Sequence, residues 1–361
     1  MRWRLGHRPG LDGLRGVAIA LVLLDHGRVP WSGTAGRVGV TVFFVLSGFL
    51  ITTLLVEERG RTGRISVRGF YARRLRRLAP AFLVSTGVIC LLALVVRNPG
   101  FLTTKDAVLA VSYVGNWYPA LMSHPRPGAL GVLTGTWSLA VEEQFYLLWP
   151  VLVIVALSRG RRFLAAVSVI GAVLSLATHV ALTVHGASEL RVYSGTDVNA
   201  FALLVGAVIA VALTTTGRRP DAPFPVVPAV AAAACLVLAV PMVNWLAQQV
   251  VTVAATGALV WVVAGAETGV PVLSAPWLRW LGRRSYGIYL WNCPIAVTVY
   301  FTSMAWPLAL VVVTVPALVL AELSWRYVEE PFLRRPERDT DDVLVGDPVS
   351  AVQTPRPLPA G

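Results

Sequence analysis

The chain has 361 residues, of which 56% are hydrophobic and only 14% charged, and its mean hydropathy is +0.67. A soluble domain is nearer a quarter charged, so these figures exclude one and point to apolar helices that cross a membrane repeatedly. The net charge is +12, yet the basic residues sit between apolar runs, which favours membrane orientation over nucleic-acid binding.

The first apolar run, LDGLRGVAIALVLLDH from Leu11 to His26, carries ionisable groups inside it. Those internal charges, and the lack of a small-residue cleavage pattern after them, argue against a cleavable signal peptide. Arg15 and His26 are eleven residues apart. That spacing is roughly three helical turns, so both side chains leave one face about 16 Å apart along the axis. Ionisable groups are costly in lipid, and a line of them borders a functional path more often than hydrocarbon. The bland alternative is an arginine that snorkels and a histidine that ends a helix.

Further apolar runs follow at 38–56, 78–96, 137–157, 163–184, 198–213, 224–241, 247–265, 285–303 and 307–325. With 11–27 they make about ten spans of an all-α polytopic membrane protein. Placing the N-terminus inside puts twenty-four basic residues on the inner side and six on the outer. A weaker segment at 101–121 would reverse much of that asymmetry if it crossed. It is therefore expected to be an external or re-entrant excursion within 97–135, leaving both termini cytoplasmic. All basic residues except Lys105 are arginine, a bias that fits a GC-rich bacterial genome and a multi-pass protein of a bacterial cell membrane. Cys90, Cys235 and Cys293 fall in or beside apolar runs without metal-ligand spacing, and read as reduced core residues. The stretch 336–361 is rich in Pro, Asp and small residues and reads as a disordered tail beyond a membrane domain at 8–335.

His26 is the natural general base of this set, because a neutral imidazole takes a proton from a hydroxyl near neutral pH. In the second run, FFVLSGFLIT places Gly48 beside Ser47, where a neighbouring helix or a ligand can come close. In FYARRLRRLAP, Arg73, Arg76 and Arg77 share a helix face. They read either as an anchor on anionic lipid or as a phosphate clamp. TWSLAVEEQFYLLWP opens a span with Glu142 and Glu143, and Glu142 shares a face with Tyr146. Either glutamate is expected to orient or charge-stabilise the imidazole, or else to pair structurally with an arginine. Ser138, Tyr146, Asn116 in the weak segment, and Asp197 at the opening of another span are candidate substrate contacts.

These motifs, with SYGIYLW and SWRYVEEPF, occur in an order that resembles the acyltransferase-3 family, the O-antigen-acetylase-like integral membrane enzymes. The resemblance covers about residues 8–335. It implies transfer of an acyl group, commonly acetyl, from acyl-CoA to a hydroxyl of a cell-envelope carbohydrate, a lipid-linked sugar or a secondary metabolite. The family's arginine and histidine of the first helix map onto Arg15 and His26, and its acidic motif onto Glu142 and Glu143. Its basic stretch maps onto Arg73, Arg74 and Arg77, which with Ser47 would hold the coenzyme. No metal is implied. Some relatives carry a C-terminal esterase-like domain that has no counterpart here, and SYGIYLW is followed by Asn292 where a histidine is frequent. On physics alone, the same intramembrane groups would also serve a proton-coupled transporter of a sugar or acyl-bearing metabolite.

Overall fold

The computed structural model describes residues 5–6, 8–96, 101–121, 130–216, 226–242, 244–265 and 270–333. The tail expected at 336–361 lies outside the described residues, as do Arg2, Arg4, Arg97, Arg126, Arg218 and Arg219 of the charge argument. The described residues are helical and contain no strand. Each expected span corresponds to one helix: α1 (Pro9–His26), α2 (Ala35–Thr62), α3 (Val67–Val96), α6 (Thr136–Arg159), α7 (Arg161–Val184), α9 (Thr196–Thr216), α10 (Val226–Ala239), α11 (Trp245–Gly265), α12 (Pro276–Tyr300) and α13 (Trp306–Ser324). Seven helical segments are long and apolar enough to cross a membrane. The helices α1, α10 and α12 fall outside that criterion. Asp12, Arg15 and Asp25 interrupt α1, α10 has 14 described residues, and α12 opens with Arg279, Arg283 and Arg284.

Between α3 and α6 the chain makes only the short helices α4 (Thr104–Val111) and α5 (Trp117–Leu121). Eight residues rise about 12 Å, far short of a hydrocarbon core of about 30 Å, so this stretch is no span. It is pinned to the bundle by Gln144. Gln144 Nε2 donates to the Tyr113 carbonyl at 2.7 Å and to Asn116 Oδ1 at 2.9 Å, while its Oε1 accepts from Trp117 Nε1 and Thr196 Oγ1. Asn116 Nδ2 in turn donates to the Ser194 carbonyl, on α8 (Glu189–Ser194), at 3.0 Å.

Helix α2 is the axis of the bundle. Its apolar stretch is 83% buried, against 28% for α3, α7 and the segment containing α13. Two crossings build the interior. A Cβ on Gly48 would collide with the Leu203 carbonyl of α9, and one on Gly206 with the Val45 carbonyl of α2. Gly16 and Gly282 do the same for α1 and α12, against Leu278 and Asp12. Small residues let helix backbones touch where lipid offers no hydrophobic drive between helices. Gly48 thus serves helix packing rather than ligand approach. The outer faces are apolar: Leu91, Leu94, Leu148, Leu174 and Val315 are exposed, as a surface toward acyl chains requires. The three cysteines are free, but only Cys293 is in the core: Cys90 is half-buried beside exposed leucines and Cys235 is exposed, because the residues around them on α3 and α10 face outward.

Candidate active site

A cavity of about 830 Å³ opens among α2, α3, α6 and α12. Its wall includes Glu57, Glu58 and Arg61 where α2 ends, Arg73, Arg74 and Arg77 near the start of α3, Arg161 at the start of α7 and Thr214 near the end of α9. In an antiparallel bundle these helix ends share one end of the molecule, so the mouth is rich in arginine. Deeper, the wall passes Arg15, Ser47, Glu142, Glu143 and Tyr146 and reaches Ser138 and Tyr289. Nine residues singled out in the sequence therefore meet in one space: Arg15, Ser47, Arg73, Arg74, Arg77, Ser138, Glu142, Glu143 and Tyr146.

Their pairings divide them. Arg73 bridges Glu58 at 3.3 Å and Arg74 bridges Glu143 at 3.1 Å, with the Arg74 guanidinium on the face of the Tyr146 ring. Arg15 donates to the Gly282 carbonyl at 3.3 Å and to Ser285 Oγ at 3.0 Å. Glu142 has both oxygens engaged, accepting from Ser47 Oγ at 2.8 Å and from the Tyr146 hydroxyl at 3.0 Å. Arg61 and Arg77 have no hydrogen bond or ion pair among the described residues, and both front the cavity. Six arginines against four glutamates leave the wall with net positive charge, and two guanidiniums have donors to spare. Such a wall suits a polyanion, which arginine grips through paired donors. Tyr113, in the excursion, also lines the wall. Burial first and the Glu143 carboxylate second push its phenol up while Arg74 pulls it back, so at neutral pH it keeps its proton.

His26 is not part of this wall. It ends α1 and its Nδ1 is hydrogen-bonded to Oδ1 of Asn292 on α12. The Asn292 amide nitrogen points to the Val313 carbonyl at 3.4 Å, which leaves its oxygen for the ring. An amide oxygen only accepts. Nδ1 must then carry a hydrogen, which fixes the tautomer of the neutral ring as the one with its lone pair on Nε2. This corrects the expected partner: neither Glu142 nor Glu143 bonds the imidazole, because their oxygens are taken by Ser47, Tyr146 and Arg74. Asp25 accepts from the Gly36 amide instead. The cavity stops at Tyr289, whose hydroxyl pairs with Ser138 Oγ at 2.8 Å and donates to the Gly135 carbonyl at 2.9 Å. Asn292 lies three residues further along α12, so the imidazole's partner is about one helical turn beyond the cavity floor.

Two expected substrate contacts lie elsewhere. Asn116 is fully buried in the Gln144 network, and Asp197 forms a two-pronged pair with Arg191 six residues earlier. Neither lines the cavity. Asn292, the partner of His26, and Tyr289, at the cavity floor, are positions that the sequence left without a role. Their only signal was a motif, SYGIYLWN, whose polar residues recur at helical spacing inside an apolar run.

Against known proteins, residues 8–326 match a family model described as an acyltransferase domain. The chain is 33% identical over 347 residues to YrhL of Bacillus subtilis, which carries the provisional name of a peptidoglycan O-acetyltransferase; the match covers 90% of this chain and 54% of that protein. It is 31% identical over 346 residues to the O-acetyltransferase OatA of Staphylococcus aureus, covering 91% of this chain and 57% of the relative. The chain thus spans little more than half the length of the curated relatives it matches. No solved structure matches it.

Proposed function

The chain belongs to this acyltransferase family, and from that premise we propose that it is a membrane O-acyltransferase moving an acyl group, in the first place acetyl, from acyl-CoA to a hydroxyl of a cell-envelope carbohydrate. The observation that carries this reading is the arginine-lined cavity that ends one helical turn short of an imidazole with a committed Nδ1. The arginine-rich end faces the cytoplasm and ten helices span, in keeping with the positive-inside rule. The bilayer is that of a bacterial cell membrane, and peptidoglycan is the acceptor in the provisional name of one similar protein, YrhL.

In this mechanism the coenzyme's phosphates dock on Arg61, Arg73, Arg74 and Arg77, and its flexible arm passes Arg15. The Tyr289–Ser138 pair parts to let the thioester approach His26. His26 Nε2 takes the acceptor's hydroxyl proton as that oxygen bonds to the thioester carbon. The tetrahedral adduct collapses, the carbon–sulfur bond breaks, and the proton passes to the leaving thiolate. The parted Ser138 hydroxyl donates to the developing oxyanion, and Tyr289 serves only to close the cavity floor. Asn292 keeps the imidazole in the tautomer that can act as base. Glu142, through Ser47 and Tyr146, and Glu143, through Arg74, fix the cavity wall rather than the base.

Family membership favours the enzyme over a proton-coupled carrier, and one experiment separates them. Protein in nanodiscs is given acetyl-CoA labelled in its acetyl group, with extracted envelope glycan as acceptor. Label on the glycan, lost in His26→Ala, supports the transferase. Acyl-CoA that neither binds nor loses its label to the acceptor overturns it.

A further inference from the structure

The end of the bundle that carries His26 holds a guanidinium the reaction above does not use. Arg37 stands in the first turn of α2, partly buried, with its guanidinium carbon 5.1 Å from the centre of the Tyr193 ring and 5.2 Å from that of Trp245. The two rings come from α8 and α11 and lie 5.5 Å apart, and Trp137 packs on Tyr193 at 4.4 Å. Cation–π contact of this kind occupies the faces of the guanidinium and leaves its N–H edges. Among the described residues no oxygen accepts from those edges. The neighbouring Asp25 carboxylate is engaged by the Gly36 amide at 3.1 Å. In α11, Trp245 Nε1 and, one turn along, Gln248 Oε1 are buried without a hydrogen-bond partner, and Gln248 reaches the start of α2 through its Nε2, which donates to Thr34 Oγ1 at 2.8 Å. A buried donor or acceptor left unpaired is costly, and two lie beside the segment that carries Arg37.

We propose that Arg37, Trp245 and Gln248 form an acceptor subsite, at the His26 end, for the carboxylate and an adjoining hydroxyl of an acidic, uronate-type saccharide. The proposal rests on the transferase reading above and adds the chemical class of acceptor. The rings hold the guanidinium plane fixed, so its forked donors meet a carboxylate with little ordering left to do. Gln248 Oε1 takes a sugar hydroxyl, and the flanking Tyr193 and Trp245 supply apolar edges for the pyranose ring. Among the described residues Asp25 is an acid within electrostatic reach of Arg37, and its Oδ2 is turned to the Gly36 amide rather than to the guanidinium.

The test uses the full chain in nanodiscs and two probes that differ only at C6, methyl β-D-glucuronide and methyl β-D-glucoside, with binding read by calorimetry or saturation-transfer NMR. The glucuronide binds saturably and at least about tenfold tighter than the glucoside, as a charge-assisted bond requires. Arg37→Gln abolishes that preference, Arg37→Lys keeps part of it, and Trp245→Phe, which retains an aromatic ring, weakens the glucuronide several-fold. Equal affinity of the two probes for the unaltered protein overturns the subsite, as does an undiminished preference in Arg37→Gln. Acetyl-CoA binding measured on the same samples keeps the two readings apart. If it is intact while the glucuronide preference is absent, the subsite alone fails. If it is absent from the unaltered protein, the transferase reading fails, whatever the glycosides do.

Discussion

The two ends of the bundle treat polar groups in opposite ways. At the arginine end the wall is wide and charged, and Arg61 and Arg77 offer donors that no described residue takes. At the other end His26 is held against Asn292, whose amide nitrogen is turned to the Val313 carbonyl, and His26 does not line that wall. An open wall with spare donors suits a ligand arriving from outside, and a single imidazole with one nitrogen committed suits the exchange of one proton. The Tyr289–Ser138 pair stands between the two on α12 and α6.

Breaking the proton-exchanging end should give the largest effect. His26→Ala is expected to lower acetyl transfer by about 10²–10⁴-fold, the usual worth of a general base, with acetyl-CoA binding unchanged in equilibrium assays. Next comes the receiving end. Replacing Arg73, Arg74 and Arg77 together by Gln should weaken acetyl-CoA binding by about 10–100-fold, since charge-assisted bonds contribute about 1.5–3 kcal/mol each and some loss is shared. It should also flatten the dependence on salt, with kcat changed little at saturation. Asn292→Leu sharpens the comparison from within the His26 end: freeing the ring to change tautomer should lower kcat by about tenfold while the KM for acetyl-CoA stays put. Tyr289→Phe removes the hydroxyl that closes the cavity floor and should change transfer by only about threefold. That outcome is read as a kcat change with acetyl-CoA affinity intact, whereas a loss of affinity would place Tyr289 in the docking wall instead. Smallest for chemistry is Gln144→Ala, which should leave transfer nearly intact but cost about 1–3 kcal/mol of stability, because Asn116 and Thr196 lose a buried partner. Thermal unfolding in detergent measures it.

How far the sequence foretold this differs between the same two regions. The ten helices were legible because each apolar run ends at charge, Gly or Pro, and the observed edges fall within a few residues of the expected ones, apart from longer starts or ends in α2, α3 and α12. The arginine wall was legible too, since its members crowd into FYARRLRRLAP and helical spacing alone shows their shared face. The partner of His26 was not. Periodicity reports which face of one helix a residue occupies, but not which residue of another helix stands at its depth, and Asn292 lies 266 positions away. Glu142 and Glu143 fitted a depth argument for holding the imidazole, yet their nearest donors were on α2, α3 and their own helix. Asn116 and Asp197 looked like ligand contacts because polar residues at a span's mouth are rare. Their bonds to Ser194 and Arg191 show a second use for such residues, that of tying loops down where water is scarce.

The glycine-to-carbonyl crossings that join α2 to α9 and α1 to α12 leave almost no slack between those four backbones. Helix α3, which carries Arg73, Arg74 and Arg77, shares no such crossing and lays most of its apolar length toward lipid. Among the helices that line the cavity, α3 is thus a compliant wall beside two stiff pairs. On the proposed reading a bulky nucleotide would be admitted by bending that wall outward, at a mechanical cost set by the surrounding lipid's resistance to lateral displacement rather than by the protein's own interior.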